Sequence, residues 1–168
     1  MKKILIFGGT QFVGKALVNN LLIQGHEVTI ASRGNFPLPF ASHIRHLKLD
    51  RYDSQTYPKE IFSNWDVVID MLGFYPEQMD LLLSAMGNFI QHLVVVSSSA
   101  VYSGAGSKKE EDFDPLSFKV TLNKDFDSSV RPDTEIYNQG KRGVEAIVSQ
   151  RCEKFTLVRF PKMIGADD

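Results

Sequence analysis

Tyr137 and Lys141 stand four residues apart in Tyr137-Asn138-Gln139-Gly140-Lys141. The stretch opens a predicted helix over about 135–151, with Asp133 or Thr134 as its N-cap. That spacing puts a phenol and an ammonium on one helix face. A phenol titrates near 10 in water, so acid–base work at neutral pH asks for about 4 kcal/mol of preferential stabilisation of the phenolate. A nearby cation acts in that direction. Taken alone the pair recurs by chance, and a solvated surface pair is the plain alternative. Its place in the chain gives it meaning, because it follows a glycine turn, a strand ending in hydroxyls and a long loop.

That strand, Val94-Val95-Val96, runs into Ser97-Ser98-Ser99-Ala100-Val101-Tyr102. Hydroxyls at the C-terminal end of a central parallel strand lie where ligands sit in such sheets. One of them could hydrogen-bond a substrate carbonyl or hydroxyl beside Tyr137. At least one of the others is expected to satisfy its own turn.

The glycine turn comes first in the chain. The run Lys3-Ile4-Leu5-Ile6-Phe7 breaks on Gly8-Gly9-Thr10-Gln11-Phe12-Val13-Gly14, and a helix over about 12–24 follows. A strand, a tight turn and a helix N-terminus form a cradle for a dinucleotide pyrophosphate, built from unpaired N–H groups and the positive end of the helix dipole. The spacing Gly8-x-x-Gln11-x-x-Gly14 lacks the middle glycine, and Gln11 must either stand aside or crowd the phosphates. The second strand ends Ile30-Ala31-Ser32-Arg33 where an acid would accept the ribose hydroxyls of NAD. A hydroxyl and a guanidinium suit a 2′-phosphate, which favours NADP over NAD; a solvated turn arginine is the alternative. Asp50, ending the third strand, is the other polar candidate at the adenine end.

The elements that position these residues alternate. Strands are predicted at about 3–8, 27–32, 44–49, 66–71, 92–97 and 155–160, and helices at about 12–24, 54–63, 75–91 and 135–151. Nearly continuous apolar strands such as Asp66-Val67-Val68-Ile69-Asp70-Met71 imply burial on both faces, hence a parallel sheet between helix layers. The fold class is α/β, a doubly wound parallel sheet of Rossmann type in one domain. Two connections break the rhythm. Asn35-Phe36-Pro37-Leu38-Pro39 predicts a crossover that is mostly loop, and the polar stretch from Ser103 to Thr134 has the length of a functional loop.

Bulk properties narrow the function. The chain has 168 residues, 43% hydrophobic and 23% charged, with net charge −1, which argues against a broad basic surface for nucleic acid. The one cysteine, Cys152, excludes an internal disulfide and suits a reducing compartment. No apolar run approaches the ~20 residues that span a bilayer. The two lysines before the first strand, with no cleavage site, read as no signal peptide. The expected setting is the cytoplasm.

Together these segments resemble the extended short-chain dehydrogenase/reductase superfamily, in its NAD(P)-dependent epimerase/dehydratase family. The resemblance covers the whole chain. It rests on the glycine turn, Asp50, Asp70-Met71-Leu72-Gly73, the serine run ending in Val101-Tyr102, Tyr137 with Lys141, and Arg159-Phe160-Pro161 through Gly165-Ala166-Asp167-Asp168. It implies Tyr137 as catalytic acid–base. Lys141 would hold the nicotinamide ribose and favour the phenolate, and Ser98, with Ser99 as alternative, would orient the substrate. Gly8, Thr10 and the backbone at Gln11, Phe12 and Val13 would hold pyrophosphate, and Met71, Leu72 and Gly73 would pass close to the nicotinamide ribose. The implied chemistry is hydride transfer between the nicotinamide and a hydroxyl or carbonyl carbon of a nucleotide sugar or related substrate. The implied homodimer pairs helices at about 75–91 and 135–151.

Three positions depart from the family pattern: Gln11 replaces a glycine, Leu72 a small residue and Ala166 a proline. The change at Gln11 also resembles the branch of chloroplast stem-loop RNA-binding proteins and their bacterial relatives. Family members continue well past the Gly165 motif into a small C-terminal substrate domain, so residues 1–168 are expected to be the cofactor-binding portion of a longer protein. Two other readings stand beside the enzyme: a non-enzymatic NADP-sensing regulator and an RNA-binding relative.

The remaining polar residues carry bland expectations. His26, His43, His46 and His92 are scattered, and the His43/His46 spacing is weak as a metal pair. Cys152 is expected to be a packed thiol, and Lys108-Lys109 before Glu110-Glu111-Asp112 a solvated loop. Leu81, Leu82, Leu83, Ala85 and Met86 read as helix core or dimer face, and Trp65 as a plug at a helix–strand junction.

Overall fold

The computed structural model describes residues 1–38, 44–102, 108–123 and 134–165. Six strands form one parallel sheet: β1 (Lys3–Phe7), β2 (Glu27–Ser32), β3 (Arg45–Lys48), β4 (Val67–Asp70), β5 (Leu93–Ser98) and β6 (Phe155–Phe160). Their order is β3-β2-β1-β4-β5-β6, so the topological switch lies between β1 and β4, where ligands sit outside the C-terminal strand ends. Helix α1 (Phe12–Ile23) follows β1, α2 (Pro76–Met86) follows β4, and α3 (Thr134–Arg151) precedes β6.

Side-chain alternation along the strands builds two cores. Ile4, Ile6, Val28, Ile30 and Ile69 pack with Val18 of α1. Leu5, Phe7, Val68, Leu93 and Val95 face the other way, onto Met79, Leu82 and Met86 of α2 and Val144, Ile147 and Val148 of α3. β1 is buried on both faces from Ile4 to Phe7, as its unbroken apolar run requires. β5 is not. Leu93, Val95 and Ser97 are buried, while Val94, Val96 and Ser98 are only half-buried.

The helix expected over about 54–63 is instead two short 3₁₀ turns, Ser54–Thr56 and Lys59–Ile61. The Asp53 side chain accepts from the Gln55 N–H, and Pro58 keeps Tyr57 out of the helical region at φ −71°, ψ 119°. Helix α2 starts with Pro76 in its first turn, where the missing N–H costs nothing. It ends at Met86, and a 3₁₀ turn over Gly87–Phe89 carries the chain onward. Thr134 is the first helical residue of α3 rather than its cap, and Asp133 lies outside the described residues. Trp65 is fully buried and donates from Nε1 to the Ile61 carbonyl at 2.8 Å.

Glycines set how close α3 can come to the turn after β4. A Cβ on Gly140 would lie 2.4 Å from the Phe74 carbonyl oxygen, and one on Gly143 would lie 3.0 Å from the Pro76 ring. Only glycine permits that approach, and it brings Lys141 down onto the sheet. On the outside, residues 113–123 cross both helices. The Phe118 carbonyl accepts from Gln150 near the end of α3, the Asn123 N–H donates to Glu77 in the first turn of α2, and Val120 packs against the core.

Candidate active site

At the glycine turn Gly8 has φ +91°, a conformation open to glycine at little cost. A Cβ on Gly14 would lie 2.2 Å from the Gly8 carbonyl oxygen, so the turn and the helix can close only with glycine there. The first bond into α1 runs from the Lys15 N–H to the Gln11 carbonyl at 3.1 Å. The amides before it face out past the helix end. Gln11 is extended and exposed, and its side chain makes no cap bond. Phe12 is the one non-glycine residue at positive φ, +40°, among those described. Its ring lies against Gly165, 3.2 Å from where a Cβ would stand.

A cavity of ≈ 230 Å³ opens beside this turn, lined by Gly8, Thr10, Gln11, Ser32, Arg33, Asp50 and Leu72, with Phe36, Arg51 and Tyr52. Seven residues singled out from sequence for cofactor binding therefore converge on one hollow. Phe12, Val13, Met71, Gly73 and Lys141 do not line it. A larger hollow of ≈ 610 Å³ lies at the opposite end of the strands, between Leu83, Gly87, Leu93 and Cys152, and holds none of the candidate residues.

At the outer end of the cavity the polar groups come from the tips of β2 and β3. The Ser32 hydroxyl shares a hydrogen bond with His46 Nε2 at 2.9 Å and accepts from the Gly34 N–H at 3.3 Å. Asp50 accepts from the Tyr52 N–H at 2.9 Å. Arg33 is exposed, and a Cβ on Gly34 would sit 3.3 Å from the Lys48 side chain and 3.7 Å from His46. His46 is thus a partner of Ser32, and His43 lies outside the described residues. The cationic Arg33–Lys48 surroundings of Ser32 come from register, because Ser32 pairs with Lys48 across two parallel strands. A reading of one strand at a time does not reveal them.

The inner end of the site, outside the lining of that cavity, is made by α3, the end of β5 and the turn after β4. Lys141 is 3% exposed. Its ammonium donates to the Gly73 carbonyl at 2.9 Å and the Val96 carbonyl at 3.1 Å. It lies 4.7 Å from the Phe74 ring centre and 5.8 Å from that of Tyr137. Phe74 and Tyr137 in turn pack at 6.2 Å with their planes tilted by 47°. Phenol and ammonium thus share one region. Burial pushes Lys141 down to about 8, and the charges of Asp70 and Glu145 limit the fall. Ser98 is half-buried, and its hydroxyl accepts from the Ala100 N–H at 3.1 Å, capping the 3₁₀ turn Ser99–Val101. Ser99 is exposed. Ser97, on the α3 side of β5, is buried, and its hydroxyl has no protein partner.

Two buried ion pairs frame this end. Asp70, fully buried at the tip of β4, is held by Arg51: Nε donates to Oδ1 at 3.2 Å and Nη2 forms a short bond to Oδ2. Arg51 also donates to the Gln78 carbonyl at 2.9 Å, and Asp70 Oδ1 accepts from the Leu72 N–H at 2.9 Å. Behind α3, Glu145 is fully buried and takes Arg159 at 2.8 Å. Arg159 further donates to the Tyr102 hydroxyl at 3.0 Å and to the carbonyls of Glu110 and Phe113. The cue for both pairs was an acid inside an otherwise apolar stretch, since a buried carboxylate must find a cation.

Comparison with known proteins follows this geometry. Over 115 residues the chain is 36% identical to the chloroplast stem-loop binding protein of 41 kDa b of Arabidopsis thaliana, covering 60% of this chain and 30% of that protein. Over 97 residues it is 30% identical to the 2′-dehydrokanamycin reductase of Streptomyces kanamyceticus, covering 57% of this chain and 27% of that one. The structure superposes on a UDP-galactose 4-epimerase with a TM-score of 0.73 at 19% identity, covering 99% of this chain and 58% of the other. At that identity the likeness shows the fold alone. The matched part thus spans under a third of these sequence relatives. The family model of the NAD dependent epimerase/dehydratase proteins matches residues 4–167. That match spans nearly the whole sequence, and this chain belongs to the NAD dependent epimerase/dehydratase family.

Proposed function

We propose that this chain is the cofactor-binding and proton-transferring unit of an NADP-dependent oxidoreductase-type enzyme acting on a hydroxyl or carbonyl carbon, as in a nucleotide sugar. The observation that supports the proposal is the pairing of Tyr137 with the buried Lys141, whose acceptor Gly73 directly follows Leu72 in the lining of the cavity beside the glycine turn. The cofactor supplies two-electron redox chemistry at a substrate carbon. The protein's part is separate. The first-turn amides of α1 and Thr10 receive the pyrophosphate. Arg33, with Ser32 and Lys48 beside it, receives a 2′-phosphate. Tyr137 gives or takes the hydroxyl proton, and a protonated Lys141 near its ring stabilises negative charge there. Ser98 is the candidate to orient the substrate oxygen, and its cap bond leaves the hydroxyl hydrogen free to donate. The substrate class, a cytoplasmic setting and a homodimer belong to this same reading.

Calorimetric titration with NADPH and NADH tests it. NADPH is expected to bind at least ~10-fold tighter, and Arg33→Ala to remove most of that preference. Heat from neither cofactor in a folded sample overturns the proposal. Tyr137→Phe is expected to keep NADPH binding and, in the full-length protein, to abolish turnover. A regulator that only senses NADP would keep its output in that variant.

A second reading rests on the likeness to the stem-loop binding protein: the chain binds folded RNA. Its mark is an affinity that falls steeply as salt rises. The net charge of −1 favours the enzyme.

A further inference from the structure

Lys141 reaches the site through a buried carbonyl, and what fixes that carbonyl lies one layer deeper. Its acceptor Gly73 closes the turn Asp70-Met71-Leu72-Gly73, which leaves β4 at the switch point of the sheet. The turn is tied at its start, where Asp70 Oδ1 accepts from the Leu72 N–H. Asp70 Oδ2 lies 3.3 Å from where a Cβ on Gly73 would stand. Arg51 clamps the same carboxylate with two nitrogens and uses its third on the Gln78 carbonyl, in the first turn of α2. Arg51 is itself held, since its carbonyl accepts from the Tyr57 hydroxyl at 2.9 Å and its guanidinium lies 5.9 Å from the Phe7 ring centre. Every nitrogen of this guanidinium is thereby spent inside the protein.

We propose that Arg51 and Asp70 are positioning residues for Lys141: their buried pair fixes the turn from Asp70 to Gly73, and through the Gly73 carbonyl it sets where the ammonium stands. Arg51 also lines the cavity beside the glycine turn, so the pair connects that cavity to the turn that holds Lys141. The inference rests on the reading above only in giving Lys141 a role. The charged and titratable groups that act on Lys141 are Asp70 from β4, Arg51 from the loop after β3 and Glu145 from α3, with Tyr137 one turn away on α3.

A pair kept only for stability predicts the same loss of fold on truncation, so the decisive readout is Lys141 itself. Its side-chain Nζ and Cε resonances are titrated by NMR in the wild-type chain, in Asp70→Asn, and in the double variant Arg51→Met/Asp70→Leu. The double variant replaces the pair by apolar groups of similar volume, a change that buried pairs often tolerate. In Asp70→Asn the Lys141 midpoint is expected to fall by about one pH unit, because an opposite charge that favoured the ammonium is gone. In the folded double variant a smaller fall is expected, together with loss of the single, sharp Lys141 environment. A wild-type midpoint and line shape in either folded variant overturns the proposal. The titration needs no cofactor, so failure to bind NADPH would sink the enzyme reading and leave this one readable.

Discussion

The two ends of the site are built on opposite plans. At the β2–β3 end the polar groups stand at strand tips, half-buried or exposed, and their bonds stay within a turn or reach the adjacent strand: Gly34 to Ser32, Tyr52 to Asp50, Ser32 to His46. At the α3 end the charges of Lys141, Asp70, Arg51 and Glu145 are all inside, and their bonds join segments far apart in the chain, Lys141 to Gly73 and Val96, Arg51 to Asp70. A group in water can be exchanged with little effect on the fold, whereas a buried charge is coupled to everything that neutralises it. On the proposed function, cofactor choice would be open to substitution in this molecule, and proton transfer would be bound up with stability.

The contrast can be broken at several points. Glu145→Ala should do the most damage, because it leaves the Arg159 guanidinium without the carboxylate that takes it behind α3. A loss of about 3–5 kcal/mol is expected in urea unfolding, and a loss under 1 kcal/mol would show that the inner end is not coupled as described. Lys141 comes next. Its folded value of about 8 lies below the ordinary 10.5, so between those values the unfolded chain binds the extra proton. Stability should therefore rise with pH through that window, by roughly 3 kcal/mol over its full width. Tyr57, pushed up to about 12 by burial, opposes the rise above pH 10, and Cys152, raised by burial from 9.0, opposes it from pH 9, so the clean interval is 8 to 9. Lys141→Met should flatten the rise there, and an unchanged slope would sink the account. Arg33→Ala should do least, shifting unfolding by under ~0.5 kcal/mol while costing NADPH affinity. A marked drop in melting temperature would mean that the outer end is not independent of the fold.

What was legible in the sequence follows the same division. The strands, the glycine turn and the Tyr137–Lys141 face were readable because each rests on local periodicity or spacing. Helix α3 needed only the pattern from Thr134 onward. The stretch over 54–63 misled because its composition is helical enough, yet Asp53 and Pro58 both favour turns, and a proline outweighs weak propensity. Arg51 has no local cue beside Asp50, and its burial depends on Asp70, nineteen positions on. The register that brings Lys48 beside Ser32 and the fit of Gly140 under the Phe74 carbonyl are likewise properties of the assembled sheet.

Phe12 carries a consequence for the chain as a whole. An ordinary side chain at positive φ stores on the order of 1–3 kcal/mol of strain, which persists only where surroundings compel it. The Phe12 ring lies against Gly165, so the first turn of α1 and the far end of the described chain meet beside the glycine turn. On the proposed function, whatever loosens the tail after β6 would be felt at the helix end that takes the diphosphate.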